Sequence, residues 1–138
     1  PGPTVDELAE MARGAGAWVV MGMAEANPDG KPFNSAVVLD PDGALVDIYR
    51  KVFLYLMEND GYRPGDKACL LDLGFCTAGL TICYDYIFPE YIRALVVAAH
   101  GFSVFAMGSL LGREWEERKP REIMGREGAA RHGEETEE

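Results

Sequence analysis

The segment spanning residues 34–50 narrows the possible folds more than any other stretch. Two apolar runs of strand length, residues 34–39 and 44–50, flank Asp40-Pro41-Asp42-Gly43. Proline presets the backbone for a tight reversal and glycine tolerates its far end, so the pattern predicts a β-hairpin. A hairpin with two apolar strands needs a second layer to cover it, and the rest of the chain must supply that layer.

The flanking segments are of the right kind. Thr4 followed by Glu7 predicts a capping box, and Val5, Leu8, Ala9 and Ala12 recur at helical spacing. Gly14 and Gly16 end that helix. Residues 17–24 form a continuous apolar run, which suits a strand buried on both faces. Residues 68–72 and 77–83 read as two strands around Gly74. Pro89 opens a helix whose apolar face is Tyr91, Leu95, Val96 and Ala99, and residues 102–107 give one more strand. Between the hairpins, residues 51–66 hold Asn59-Asp60-Gly61 and Pro64-Gly65-Asp66 and read as a long loop with one helical turn. Loops of that length in compact domains usually carry function. The order is helix, strand, hairpin, loop, hairpin, helix, strand, helix, a mixed α/β arrangement. Residues 1–111 form the domain. Residues 112–138 are dense in Lys, Arg and Glu; 113–131 read as a solvated helix and 133–138 as disordered.

Composition sets the outer limits. At 48% hydrophobic residues the chain can build a core, which excludes global disorder. A formal net charge of −10 repels phosphate backbones and anionic bilayers, so neither nucleic acid nor membrane is an expected partner. No apolar run approaches the roughly 20 residues of a bilayer span, and Pro1-Gly2-Pro3-Thr4 has no signal-peptide character. Cys69, Cys76 and Cys83 fit neither a disulfide framework nor a zinc site, which points to a reducing cytoplasm and no metal.

Three side chains are candidates for chemistry. In Leu80-Thr81-Ile82-Cys83-Tyr84-Asp85 an apolar strand ends in a cysteine, followed at once by polar residues and a helix. That geometry exposes Cys83 beside free backbone N–H groups, which favour thiolate and can hold an oxyanion. The competing reading is a cysteine that merely fills a core, and it is the better one for Cys69 and Cys76. Lys51 follows an apolar hairpin strand and enters the long loop, where it can reach a pocket; most such lysines are simply solvated. Glu58 in the loop can orient a lysine or accept a proton. Arg50 points to the other face of its strand. His100 and His132 lie far from the Cys83 turn, which argues against a Cys–His dyad.

Together these segments resemble the nitrilase superfamily of carbon–nitrogen hydrolases. The 34–43 hairpin resembles the one before the family's lysine, and Tyr49-Arg50-Lys51-Val52-Phe53-Leu54 its lysine motif. Glu58 with Pro64-Gly65-Asp66 resembles the loop carrying a second glutamate. Gly79-Leu80-Thr81-Ile82-Cys83-Tyr84-Asp85, Phe88-Pro89-Glu90 and Arg93-Ala94-Leu95 resemble the nucleophile strand and its following helix. The resemblance implies a four-layer α-β-β-α sandwich, here truncated at both ends. It implies a Glu-Lys-Cys site that hydrolyses nonpeptide carbon–nitrogen bonds through a thioester. Cys83 would attack, Lys51 and the Tyr84 backbone N–H would hold the oxyanion, and Glu58 would position Lys51 or the leaving amine. No cofactor is implied. Tyr84-Asp85 is similar to the amidase branches, which implies a small amide or carbamoyl substrate. A homo-oligomer is also implied.

Three departures qualify the resemblance. The family's general-base glutamate lies on a strand ahead of the first helix, a region this chain does not include; Glu25 is not its counterpart. Phe53 stands where the family usually has histidine, which implies a looser site. The family continues with further strands beyond Gly133. Hydrolysis by these residues alone is therefore expected to be very weak, with open sheet edges. The alternative is a catalytically incomplete relative that serves as an interaction or structural module.

Overall fold

The computed structural model describes residues 2–99 and 103–106. Among these residues, three helices and six strands follow one another as α1 (Pro3–Ala15), β1 (Val19–Glu25), β2 (Phe33–Leu39), β3 (Leu45–Arg50), α2 (Glu58–Gly61), β4 (Cys69–Asp72), β5 (Thr77–Ile82), α3 (Pro89–Ala98) and β6 (Ser103–Ala106). A 3-10 turn, Cys83–Ile87, joins β5 to α3. The segments 113–131 and 133–138 and the proposed boundary at 111/112 lie outside the described residues, as do His100 and His132.

Two three-stranded sheets form, ordered β1-β2-β3 and β4-β5-β6. The first is antiparallel throughout, and the second pairs β4 with β5 antiparallel and β5 with β6 parallel. Asp40 closes the predicted hairpin by accepting the backbone N–H groups of Asp42 (3.0 Å) and Ala44 (2.8 Å) on Oδ1. Gly43 sits at φ +75°, and a Cβ there would lie 2.5 Å from the Ala9 carbonyl oxygen. The turn thus needs glycine twice, for its backbone and for its approach to α1.

Side-chain alternation builds the layers. Ala36 and Val38 of β2 and Tyr49 of β3 meet Cys69, Leu71, Ala78, Leu80 and Ile82 of the second sheet in one buried cluster. Val37 and Leu39 point the other way and pack under Leu8, Ala9 and Ala12 of α1. On the outer face of the second sheet, Gly79 leaves room for Leu95 of α3, whose Cβ would lie 3.0 Å from a Cβ on residue 79. The layers run α1, first sheet, second sheet, α3: the α-β-β-α sandwich expected.

Details differ from the sequence reading. Helix α1 starts at Pro3 with Gly2 at its N-cap, and no side chain caps it, so Thr4 lies inside the helix. Pro3 suits the first helical position, where its missing N–H costs no hydrogen bond and its fixed φ is already helical. Strand β1 is only partly buried, because it lies at a sheet edge; β2, the central strand, is the one buried along its whole length. Cys83 opens the 3-10 turn rather than closing β5. Gly16 at φ +59° ends α1 as expected, whereas Gly14 lies inside the helix; the inward face of α3 carries Tyr91, Leu95 and Val96 as expected, with Ala99 buried at its C-cap. No helix among the described residues is long and apolar enough to cross a membrane.

Leu80 is fully buried at the centre of the inter-sheet cluster, whereas Leu70 on the adjacent strand is 41% exposed. Leu80→Ala is expected to cost about 2–5 kcal/mol in chemical denaturation. Leu70→Ala should cost less than about 1 kcal/mol. Equal losses would mean that the two sheets do not pack as described.

Candidate active site

The backbone of Lys51 is fixed from both sides before its side chain makes any contact. Its N–H donates to the Asn34 carbonyl (2.8 Å), and its own carbonyl accepts from Gly65 N–H (2.8 Å). The ammonium, on a residue only 1% exposed, donates to Glu58 Oε2 at 2.6 Å. Glu58 also accepts from Tyr55 N–H (2.6 Å) on Oε2 and from Asn34 Nδ2 (2.8 Å) on Oε1. Burial alone would push the Glu58 carboxyl up; the Lys51 ammonium, the Tyr55 N–H and the Asn34 amide outweigh it and hold the group below its ordinary range. The Asn34 amide is oriented by this contact, since its oxygen would repel the carboxylate. Asn34 Oδ1 is then a buried acceptor with no protein donor among the described residues.

Cys83 directly follows β5 of the other sheet, as the first residue of the 3-10 turn. It is a free, partly buried thiol with φ +46°, a left-handed conformation that costs a non-glycine residue roughly 1–2 kcal/mol. Its side chain packs on the inter-sheet cluster and makes no hydrogen bond to Lys51 or Glu58 among the described residues. The two halves of the site are joined instead by Asp85, which is fully buried. Asp85 Oδ2 accepts from Ile82 N–H (2.9 Å) and Tyr49 Oη (2.7 Å), and Oδ1 accepts from Phe53 N–H (2.8 Å). Tyr49 Oη also lies 3.1 Å from Tyr91 Oη, and burial with these two neighbours pushes its phenol well above the ordinary range.

Aromatic rings close the same seam. Phe53 stacks on Phe88 (centroids 4.0 Å apart) and meets Tyr91 edge-on (5.4 Å). Tyr55 meets Tyr84 edge-on (5.0 Å), and Tyr84 meets Phe88 (5.4 Å). Phe53, in the position where the family usually has histidine, thus gains two ring partners in this seam. Thus Lys51 and Glu58 are in direct contact, while Tyr84 and the Cys83 turn reach their loop through Asp85 and the ring seam.

Arg50, Glu25 and Cys69 have structural partners. Arg50 pairs with Glu25 through Nε (2.9 Å) and Nη2, and Ser35 Oγ donates to the same carboxylate (2.6 Å). These contacts, led by Arg50, hold the Glu25 carboxyl low. Cys69 lies 3.3 Å from Asp47, and burial with that carboxylate pushes its thiol up to about 12. A cavity of about 260 Å³ lined by Asp47, Tyr49, Arg50, Asp66, Lys67 and Cys69 touches none of Lys51, Glu58 or Cys83.

The carbon–nitrogen hydrolase family profile matches residues 1–131. The chain belongs to the carbon–nitrogen hydrolase family. Among its relatives, a nitrilase of Pyrococcus abyssi is 40% identical over 97 residues, covering 70% of this chain and 36% of that protein. The omega-amidase of Bos taurus is 33% identical over 99 residues, covering 65% and 36%. Of the solved structures, an amidase from Nesterenkonia sp. AN1 superimposes with a TM-score of 0.68 at 25% identity, covering 77% of this chain and 44% of that one. The carbon–nitrogen hydrolase segment seen here spans about a third of the length of these curated relatives. Its similarities support the amidase-like branch of the nitrilase superfamily.

The sequence motifs assign a role to neither Asn34 nor Asp85. Asn34 is a polar residue opening a strand that is otherwise apolar, which was the available signal. Asp85 stands two residues after the candidate cysteine, and nothing in its spacing shows that it is buried.

A carboxylate whose folded value is depressed contributes stability that is present above its unfolded value and lost as pH falls through the folded one. The stability difference between wild type and Glu58→Gln is therefore expected to be full, roughly 1–3 kcal/mol, near neutrality. It should close as pH drops below the ordinary Glu range. Denaturation curves of both proteins across acidic pH test this; a difference independent of pH would break the assignment of the Lys51–Glu58 pair.

Proposed function

We infer that the chain carries the nucleophile and lysine halves of an amidase-type active site acting on small amide or carbamoyl groups. The observation that carries this reading is a buried Lys51 paired with a partly buried Glu58 and joined, through the Asp85 carboxylate, to a strained cysteine turn. The Cys83 thiolate attacks the amide carbon, and the negative charge moves to oxygen beside the Lys51 ammonium and the Tyr84 N–H. The carbon–nitrogen bond then breaks, the leaving nitrogen takes up the proton lost by the thiol, and a thioester remains. Water cleaves that thioester to the acid and regenerates the thiol. Glu58 holds the Lys51 side chain aimed.

One relative supports the cysteine assignment. A mutant of the Nesterenkonia amidase, TM-score 0.64 with this chain at 28% identity, shows covalent addition of the acetamide moiety of fluoroacetamide at its active-site cysteine. A small-molecule amide partner, a homo-oligomeric assembly and a charged segment following a hydrolase domain belong to the same proposal.

Fluoroacetamide tests the reading, since displacement of fluoride by a thiolate needs no protonated leaving amine. Peptide mass spectrometry is expected to find one carbamoylmethyl adduct, on Cys83. Lys51→Ala should slow its formation at least about tenfold. Adducts shared equally by Cys76 and Cys83 would sink the assignment.

A further inference from the structure

Cys83 has a left-handed backbone, and among the described residues its thiol makes no hydrogen bond that would hold it there. The compensation lies two residues on. Asp85 is fully buried and draws its donors from three separate parts of the chain: Ile82 N–H at the end of β5, Phe53 N–H in the loop after Lys51, and Tyr49 Oη on β3. Through Tyr49 it also reaches Tyr91 on α3.

We propose that Asp85 is a positioning residue, which fixes the left-handed Cys83 turn against the Lys51 loop so that the thiol addresses the carbon, and the ammonium the oxygen, of one substrate carbonyl. The geometry gives this role a specific form. The two backbone donors fall on different oxygens, Ile82 N–H on Oδ2 and Phe53 N–H on Oδ1. Only a carboxylate offers acceptors on both sides. An asparagine has one acceptor and one donor, so whichever way it lies, one backbone N–H faces an NH₂ group. Asp85→Asn therefore releases either the cysteine turn or the lysine loop at nearly constant volume. Tyr49→Phe removes a donor but leaves both backbone tethers in place.

The three cysteines make the test internal. Cys83 and Cys76 are both partly buried, and Cys69 is buried. Cys83 reports the site, Cys76 reports an ordinary thiol, and Cys69 reports opening of the core. The readout is the ratio of Cys83 to Cys76 alkylation by iodoacetamide, across roughly pH 6–9, with Cys69 followed in parallel.

In wild type the ratio should stand well above one. In Asp85→Asn it should fall at least about tenfold, as expected of an ångström-scale misplacement, with Cys69 still protected. Tyr49→Phe should lower it about two- to threefold. Leu95→Ala, which loosens the α3 layer without touching the tethers, should leave it unchanged.

The proposal rests on Cys83 being the nucleophile, and the two can fail separately. If wild-type Cys83 labels no faster than Cys76, the nucleophile reading fails and takes the proposal with it. If wild type is selective and Asp85→Asn keeps the ratio, the proposal alone is overturned. An equal fall in Leu95→Ala also overturns it, because the role is then one of stability. Should Asp85→Asn expose all three thiols, Tyr49→Phe decides: an unchanged ratio there overturns the proposal.

Discussion

A carboxylate buried beyond the reach of solvent survives only where the chain aims donors at it, and Asp85 meets that condition with three. Each donor comes from a different element, so satisfying one side chain forces β3, the Lys51 loop and the end of β5 together. The apolar cluster between the sheets supplies most of the adhesion, but such packing is non-directional and tolerates sliding. The hydrogen bonds of Asp85 do not tolerate it. They set the register of one sheet on the other at the point where Lys51 and Cys83 emerge.

Lys51 poses the same problem with the opposite sign. A buried ammonium is costly unless a partner lies within hydrogen-bond reach, and Glu58 fills that role at 2.6 Å. The loop that carries Glu58 is held in turn by Tyr55 N–H, Asn34 and the Lys31 ammonium on the Asn59 carbonyl. The long loop is thus not slack between two hairpins. Its irregular path is what brings a carboxylate back to a lysine seven positions earlier, with an aromatic seam sealing its other flank.

The hairpin marks the limit of what the sequence makes legible. The turn residues and the apolar alternation announced both strands, and the layers followed from their amphipathic faces. The register did not follow. Val38 pairs with Asp47 but Leu39 pairs with Leu45, so Val46 is an extra residue in β3. Without that bulge Ile48 would lie opposite Ala36 in the inter-sheet core, and Arg50 opposite Asn34. With it, Tyr49 turns inward to reach Asp85 and Lys51 falls beside Asn34. One unpaired residue therefore decides which side chains form the site, and no local propensity signals it. Lys51, Glu58 and Cys83 were legible because they sit in recognisable motifs. Asp85, Asn34 and Tyr49 were not, because their importance lies in partners from distant parts of the chain.

The three cysteines show how environment, rather than residue type, distinguishes candidates for chemistry. Cys69 faces the inter-sheet core beside the Asp47 carboxylate, which suppresses thiolate formation. Cys76 sits in the β4–β5 hairpin, with no aromatic seam or buried carboxylate attached to its turn among the described residues. Cys83 alone combines partial exposure, a left-handed backbone and a turn pinned to a lysine loop. Strain at a single residue persists only where its surroundings over-determine it. Here the surroundings are the two backbone tethers of Asp85, so the same contacts that hold the sheets in register also keep the cysteine in a conformation it would otherwise abandon.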